Sequence, residues 1–172
     1  MEAMENLLTR RSIRKFKPDM IPKDIIGEIV KAGTFAATGM NRQAPLIIAV
    51  TNKELRDRLS AMNAGIMGAE TDPFYGAPVV LIVLARRDVP TYLYDGSLVM
   101  GNLMNAAHAC GIGSCWIHRA REEFETEEGR ALLQSLGITG EYEGIGHCVL
   151  GYADCEPPVP SPRKPGYVYW AE

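Results

Sequence analysis

Arg10-Arg11-Ser12-Ile13-Arg14-Lys15-Phe16-Lys17 places five cations and one hydroxyl in eight residues, directly after a short apolar-faced segment. Guanidinium groups form bidentate, charge-assisted hydrogen bonds with phosphate, and a serine hydroxyl adds a neutral donor, so the set suits a phosphate monoester. The competing reading is a solvated basic helix end, because cations favour a helix C-terminus and basic runs commonly face water. On composition alone that second reading is the better of the two.

The rest of the chain makes this cluster local. Over 172 residues the formal net charge is -3 and the pI is near 5.7, which argues against nucleic acid as the general partner. The length suits about one domain with a substantial core. Met1 to Leu8 holds two Glu and no apolar run, so a secretory signal is not expected and a cytoplasmic location is. Cys110, Cys115, Cys148 and Cys155 are too few for a disulfide scaffold at this length and are expected as thiols. His108, Cys110, Cys115 and His118 invite a zinc reading. No Cys-x-x-Cys pair supports it, and no metal site is expected.

Residues 2 to 10 read as a short helix with Leu7 and Leu8 turned inward. A second helix runs from Lys23 to about Phe35, where Ile25, Ile26, Ile29, Val30 and Gly33 recur at helical spacing. Ala37 to Pro45 breaks that period and opens onto Leu46-Ile47-Ile48-Ala49-Val50, a buried strand by its β-branching. This amide-rich loop is either a ligand-binding loop or an ordinary turn. Asn52 caps a helix reaching Met62, and residues 63 to 77 carry no clear period. Phe74-Tyr75 either covers a site mouth or packs beneath the next strand, the second being favoured. Val79 to Leu84 is continuously apolar, as in a strand covered on both faces.

Thr91 to Cys110 forms a central helix, in which Asp95, Asn102, Asn105 and His108 argue against a membrane span. Its Gly101, Ala106 and Ala107, with Gly111 beyond, would admit a close neighbour such as a second subunit. Gly111 to His118 turns into an extended piece, either a helix cap with a core strand or bare backbone against a planar ligand. Residues 121 to 136 read as an acidic surface helix with Phe124, Leu132, Leu133 and Leu136 inward, stopped by Gly137. Gly146 to Tyr152 is the last strand, with His147 read as a packed, hydrogen-bonded histidine. Beyond Ala153 the chain is too proline-rich for helix or sheet. Tyr167, Val168, Tyr169 and Trp170 nevertheless add apolar bulk that an unanchored tail rarely carries. The tail is therefore expected to wrap over folded protein and deliver Arg163 and Lys164 to a defined place.

Four sparse motifs thus stand in order: Arg-Arg-Ser-x-Arg at 10–14, Thr-x-x-Asn-x-Gln at 38–43, Gly-Ile-Gly-Ser-Cys-Trp-Ile at 111–117, and Gly-Tyr-Ala at 151–153 with a later Pro-Arg-Lys-Pro. Each is weak alone; together they resemble the FMN-dependent nitroreductase family over essentially the whole chain. The resemblance implies an α+β sandwich, a mostly antiparallel central sheet flanked by helices. Residues 1–172 would form a single domain, and the extension from about 154 to 172 would wrap the partner of an intertwined homodimer. It implies that Arg10 and Ser12 hold the FMN phosphate and ribityl end with Arg11 nearby, and that Arg14 lies toward the N1 and O2 edge. Thr38 and Asn41 would reach the flavin from the partner chain, supported by Gln43. Trp116, Ile117 and His118 would pass near N5, and Arg163 with Lys164 would close on the phosphate. The chain departs from the family pattern at Ala37-Thr38, where Pro-Ser is frequent, and at His118-Arg119, where larger members carry Glu-Gly.

No nucleophile, triad or metal cluster stands out, which suits a protein whose cofactor carries the chemistry. The implied activity is that of an FMN-dependent NAD(P)H oxidoreductase. NADH or NADPH would give hydride to FMN and leave, and an electron-poor small molecule, a nitroaromatic, quinone or similar, would take its place in a ping-pong scheme. No side chain is expected to be catalytic, and Arg14 would tune the flavin as a fixed cation. The alternative is a non-catalytic flavin carrier or redox sensor. The partners expected are a second copy of the chain and the acceptor, with neither nucleic acid nor membrane.

Overall fold

A computed structural model describes residues 1–172, and its centre is β2, Val79–Arg86. Val79 to Ala85 are all 0% exposed, because the strand is covered on both sides. Val80, Ile82 and Leu84 enter one core layer, while Val79, Leu81 and Val83 enter the other. Burying each such side chain contributes about 1.5–3 kcal/mol, so a continuous apolar run encodes this strand where an alternating one would encode a half-exposed strand.

β2 pairs antiparallel with β1, Pro45–Val50, on one side and with β4, Tyr142–Gly151, on the other. β3, Gly113–Ile117, pairs antiparallel with β4 and completes the order β1-β2-β4-β3. Helices α2, Lys23–Thr34, and α4, Tyr92–Ala109, cover one face through Ile26, Ile29, Val99, Met100 and Leu103. Helices α3, Lys53–Met67, α5, Ala120–Glu125, and α6, Glu127–Ser135, cover the other through Leu59, Phe124 and Leu133. This is the expected α+β sandwich. A register shift leaves Ile145 as the extra residue of a β-bulge, since Val83 pairs with Gly146 and Leu84 with Gly144. Ile145 fills the space above Gly96, where an added Cβ would lie 2.5 Å from its Cγ1, and so draws the start of α4 onto the sheet.

The basic stretch is not a helix end. It leaves α1, Ala3–Thr9, in extended form and is stitched to the sheet at both ends. Ile13 N–H donates to Ser114 O at 2.9 Å and Lys17 N–H to Tyr152 O at 2.9 Å, with bridges between Ser12 and Ser114 and between Phe16 and Ala153. Ile13 and Phe16 turn into the core while Arg14, Lys15 and Lys17 face outward.

Several boundaries differ from the sequence reading. Leu7 and Leu8 are exposed, not inward: no residue of α1 is buried, and the helix is tied to α4 by polar contacts such as Asn6 Nδ2 to Asn105 O at 3.0 Å. The acidic helix is two helices, because Thr126 stops α5 and its hydroxyl caps α6 by accepting from Gly129 N–H at 3.0 Å. Leu136 falls beyond α6 and is exposed. Asn52 does cap α3, accepting from Leu55 N–H at 2.9 Å, but that helix runs on to Met67. Phe74 is wholly buried beneath the strands, its ring centroid 5.2 Å from that of His147. No helix is long and apolar enough to cross a membrane.

Candidate functional site

Strand β3 organises the candidate site. Ser12 bridges to Ser114 near its N-terminal end, with Arg10 and Arg11 just before and Arg14 further along near Cys115, and its C-terminal end carries Trp116 and Ile117 and leads to His118. The strand rise puts these ends about 13 Å apart, a span suited to an elongated ligand.

At the cationic end, Arg10 Nη1 is buried and has no hydrogen-bond partner in the chain, and the same holds for the Ser114 hydroxyl. Burying a donor of this kind unpaired is costly, the more so on a charged group, and the donors left free here are of the type that an acceptor-rich anion would satisfy. The local charge also registers on neighbouring groups. Burial lowers the pKa of His108, and the Arg10 and Arg11 guanidiniums lower it further. Burial raises the Cys115 thiol, while Arg14, the Ser12 hydroxyl and Arg10 pull the other way. Burial pushes Cys148 up to about 12 despite Arg10. Arg11 itself turns back and donates to Leu8 O at 2.9 Å and to Arg10 O at 2.6 Å, capping α1. Next to it is a recess of about 250 Å³ that includes His108, Gly113, Ser114 and Pro157.

At the other end is a wider cleft of about 530 Å³ between β3 and α4, bordered by Leu93, Ser97, Trp116, His118, Arg119 and Ile145. The Trp116 indole lies on Gly146, where a Cβ would stand 2.3 Å from Nε1, and that Nε1 is buried without a partner. Glu143 sits on the inner wall, nearly buried, 3.0 Å from Arg87 Nε and within reach of Tyr92 Oη at 3.2 Å. Burial first, and then this carboxylate, raise the Tyr92 pKa.

Thr38, Asn41 and Gln43 are not brought to this site within one chain. Thr38 and Gln43 border a separate recess with Leu46 and Val99. Their loop holds Met40, Asn41 and Gln43 at positive φ, and it is pinned by Gly39 N–H donating to the buried Asp95 at 3.0 Å. Thr38 Oγ1 accepts from Gln43 N–H at 3.2 Å, and Gln43 Nε2 donates to Asn41 Oδ1 at 3.2 Å. Arg163 and Lys164 lie on an exposed tail and make only contacts within it, Arg163 to Ser161 O and Lys164 5.7 Å from the Tyr167 ring centroid. The last backbone tie of the tail to the body is Asp154 N–H to Lys15 O at 3.0 Å, reinforced by a Lys15–Asp154 ion pair at 2.8 Å.

Sequence reasoning missed a buried polar group behind the cleft. Asn63, Glu123 and His147 are each 0% exposed and joined by hydrogen bonds, and Asn63 reaches the main chain of His118 and the side chain of Arg119. His147 is the packed, hydrogen-bonded histidine its strand suggested. Nothing local to Asn63 or Glu123 signals the contact, since one lies in a stretch without period and the other in an acidic run.

Comparisons with known proteins agree with the fold. The sequence profile of the nitroreductase family matches residues 7–73 and 67–152. A protein of Archaeoglobus fulgidus, provisionally named an NADH dehydrogenase/NAD(P)H nitroreductase, is 29% identical over 154 residues, 88% of this chain and 85% of its own length. One of Methanothermobacter thermautotrophicus with the same name is 28% identical over 121 residues, 67% of this chain but only 60% of its own length. Among solved structures, a nitroreductase with bound FMN from Bacteroides fragilis is 28% identical, with TM-score 0.88 and complete coverage of both chains. Another from Desulfitobacterium hafniense, also with bound FMN, is 26% identical, with TM-score 0.86, covering 98% of this chain and 97% of that one. The matched segments take in the basic stretch, the amide loop, β3 and the last strand; the chain belongs to the nitroreductase family.

Proposed function

We propose that this protein is an FMN-dependent NAD(P)H oxidoreductase that works as a homodimer, with the flavin lying along β3. The observation that carries the reading is the buried, unpartnered Arg10 Nη1 at the start of that strand. The donor set fits FMN: a phosphate supplies the acceptors that Arg10 and the Ser114 hydroxyl lack, and the cleft by Trp116 and His118 gives room for a ring. Two solved relatives that match nearly the whole chain bind FMN.

When bound, the flavin supplies hydride chemistry, accepting two electrons from NADH or NADPH and passing them to an electron-poor acceptor such as a nitroaromatic or quinone. The chain's own residues bind and orient. Arg10 and Ser12 hold the phosphate end, with Arg11 serving α1 beside it. Arg14, exposed and close enough to act on Cys115, places a fixed cation over the ring edge. Trp116, Ile117 and His118 form the wall next to which donor and acceptor bind in turn, in one pocket.

The second copy supplies what one chain lacks. Met4, Leu7 and Leu8 of α1, Leu93, Tyr94 and Leu98 of α4, and the tail's Tyr167, Tyr169 and Trp170 are all exposed, far more apolar surface than scattered single residues present. Pairing through these faces would bring Thr38, Asn41, Gln43, Arg163 and Lys164 to the partner's flavin. An absorbance spectrum of the purified protein, taken before and after anaerobic addition of NADH or NADPH, tests the reading. A flavin spectrum that bleaches supports it; a colourless protein that FMN does not reconstitute overturns it.

A further inference from the structure

Arg119 joins β3 to α5 in the left-handed conformation, φ 78° and ψ 7°, where a non-glycine residue is held only by its surroundings. Asn63 is what holds it. Its Oδ1 accepts from Arg119 Nε at 2.9 Å, and its Nδ2 donates to His118 O at 2.8 Å and to Glu123 Oε1. Glu123 Oε2 lies 3.0 Å from His147 Nε2. The guanidinium can only donate and the His118 carbonyl can only accept, so only one orientation of the Asn63 amide satisfies all three partners. The opposite orientation would set its oxygen against two acceptors and its NH₂ against a donor.

The direction of the next peptide follows. A trans peptide points its C=O and N–H in opposite directions. With His118 O turned inward to Asn63, Arg119 N–H points away from the core toward the cleft, and it finds no backbone acceptor there. Building on the flavin reading above, we infer that Asn63, backed by Glu123 and His147, is a positioning residue that aims the Arg119 N–H at the ring of the bound flavin.

The test uses the full-length holoprotein, with FMN affinity read from flavin fluorescence, the midpoint potential from redox titration, and thermal unfolding of the apoprotein as a control. Asn63→Ala is expected to weaken FMN binding about tenfold, the scale of one hydrogen bond, and to shift the potential. Adding Arg119→Gly, which adopts the left-handed conformation without a Cβ penalty, is expected to recover most of that loss. Glu123→Gln, equal in size but replacing one acceptor with a donor, is expected to give a smaller shift in the same direction and serves should Asn63→Ala not fold. Variants that unfold at lower temperature yet keep wild-type affinity and potential would make the group purely structural and overturn the inference. So would a double variant no better than Asn63→Ala. A wild-type protein that binds no FMN overturns the parent reading instead, which keeps the two failures distinct.

Discussion

Ile13 N–H donates to the carbonyl of Ser114 at 2.9 Å, a bond across 101 residues that seats the basic stretch beside β3. Without it Arg10 and Arg14 would be two cations on a loop. With it, Arg10 is held partly buried, and its Nη1 is left with nothing in the chain to bond.

Arg10→Ala is therefore expected to cost about 1.5–3 kcal/mol of FMN affinity, the scale of a hydrogen bond to a charged group, or roughly 10- to 150-fold in Kd. A fluorescence titration with FMN checks this, with Arg11→Ala as the comparison. Arg11 spends its guanidinium on Leu8 O and Arg10 O, so its loss should cost less binding than that of Arg10.

Arg14 acts through charge. Arg14→Ala is expected to make the midpoint potential more negative by about 30–60 mV, the equivalent of a hydrogen bond to a charged group for a two-electron couple. An unchanged potential at full flavin occupancy would remove Arg14 from that role.

Two glycines should respond in opposite directions. Gly27 lies exposed in α2 with nothing within 4 Å of an added Cβ, so Gly27→Ala should stabilise by about 1 kcal/mol and raise the Tm by about 2–4 °C. A Cβ at Gly144 would stand 2.2 Å from the main-chain oxygen of Ala120, which cannot rotate away. Gly144→Ala should destabilise by about 3 kcal/mol or more, read by the same thermal melt.

Acid stability should run through Asp72. Burial works to raise its pKa, but hydrogen bonds from Arg56, from Ser60 and from the N–H groups of Gly76 and Phe74 outweigh it and leave the carboxyl below its ordinary value. A group whose folded pKa is depressed contributes stability that is present above its unfolded pKa, about 4, and is lost as pH falls through the folded value. The melting temperature should therefore drop on acidification below about pH 4. Asp72→Asn should be less stable at neutral pH and show a shallower acid slope; identical slopes would exclude this carboxylate as a source.

Removing residues 155–172 should leave a fold with its core intact, because every residue of that segment is exposed. It should also weaken both dimerisation and FMN binding, measured by light scattering and flavin titration. A truncated chain that remains dimeric with unchanged affinity would show that the tail takes no part.

How much the sequence could say depended on the range of the interaction. The run Val79 to Leu84 specified a strand covered on both faces because a single transfer energy acts at each position, and Gly137, at φ 71°, follows the end of α6 where a stop was expected. The cationic motif and its neighbours in order were enough to identify the family, since each needs only its own residue types. Leu7 and Leu8 defeated the same logic: apolar residues at helical spacing show that a face will be covered, and only the assembled chain shows that its own core does not cover it. Thr126 split one apparent helix in two, because a cap competes with a period that continues through it. The tertiary structure alone decided that residues 63, 123 and 147 meet behind His118. Hydrogen bonds between side chains so far apart in sequence depend on where three separate elements dock, and docking is set by the whole core.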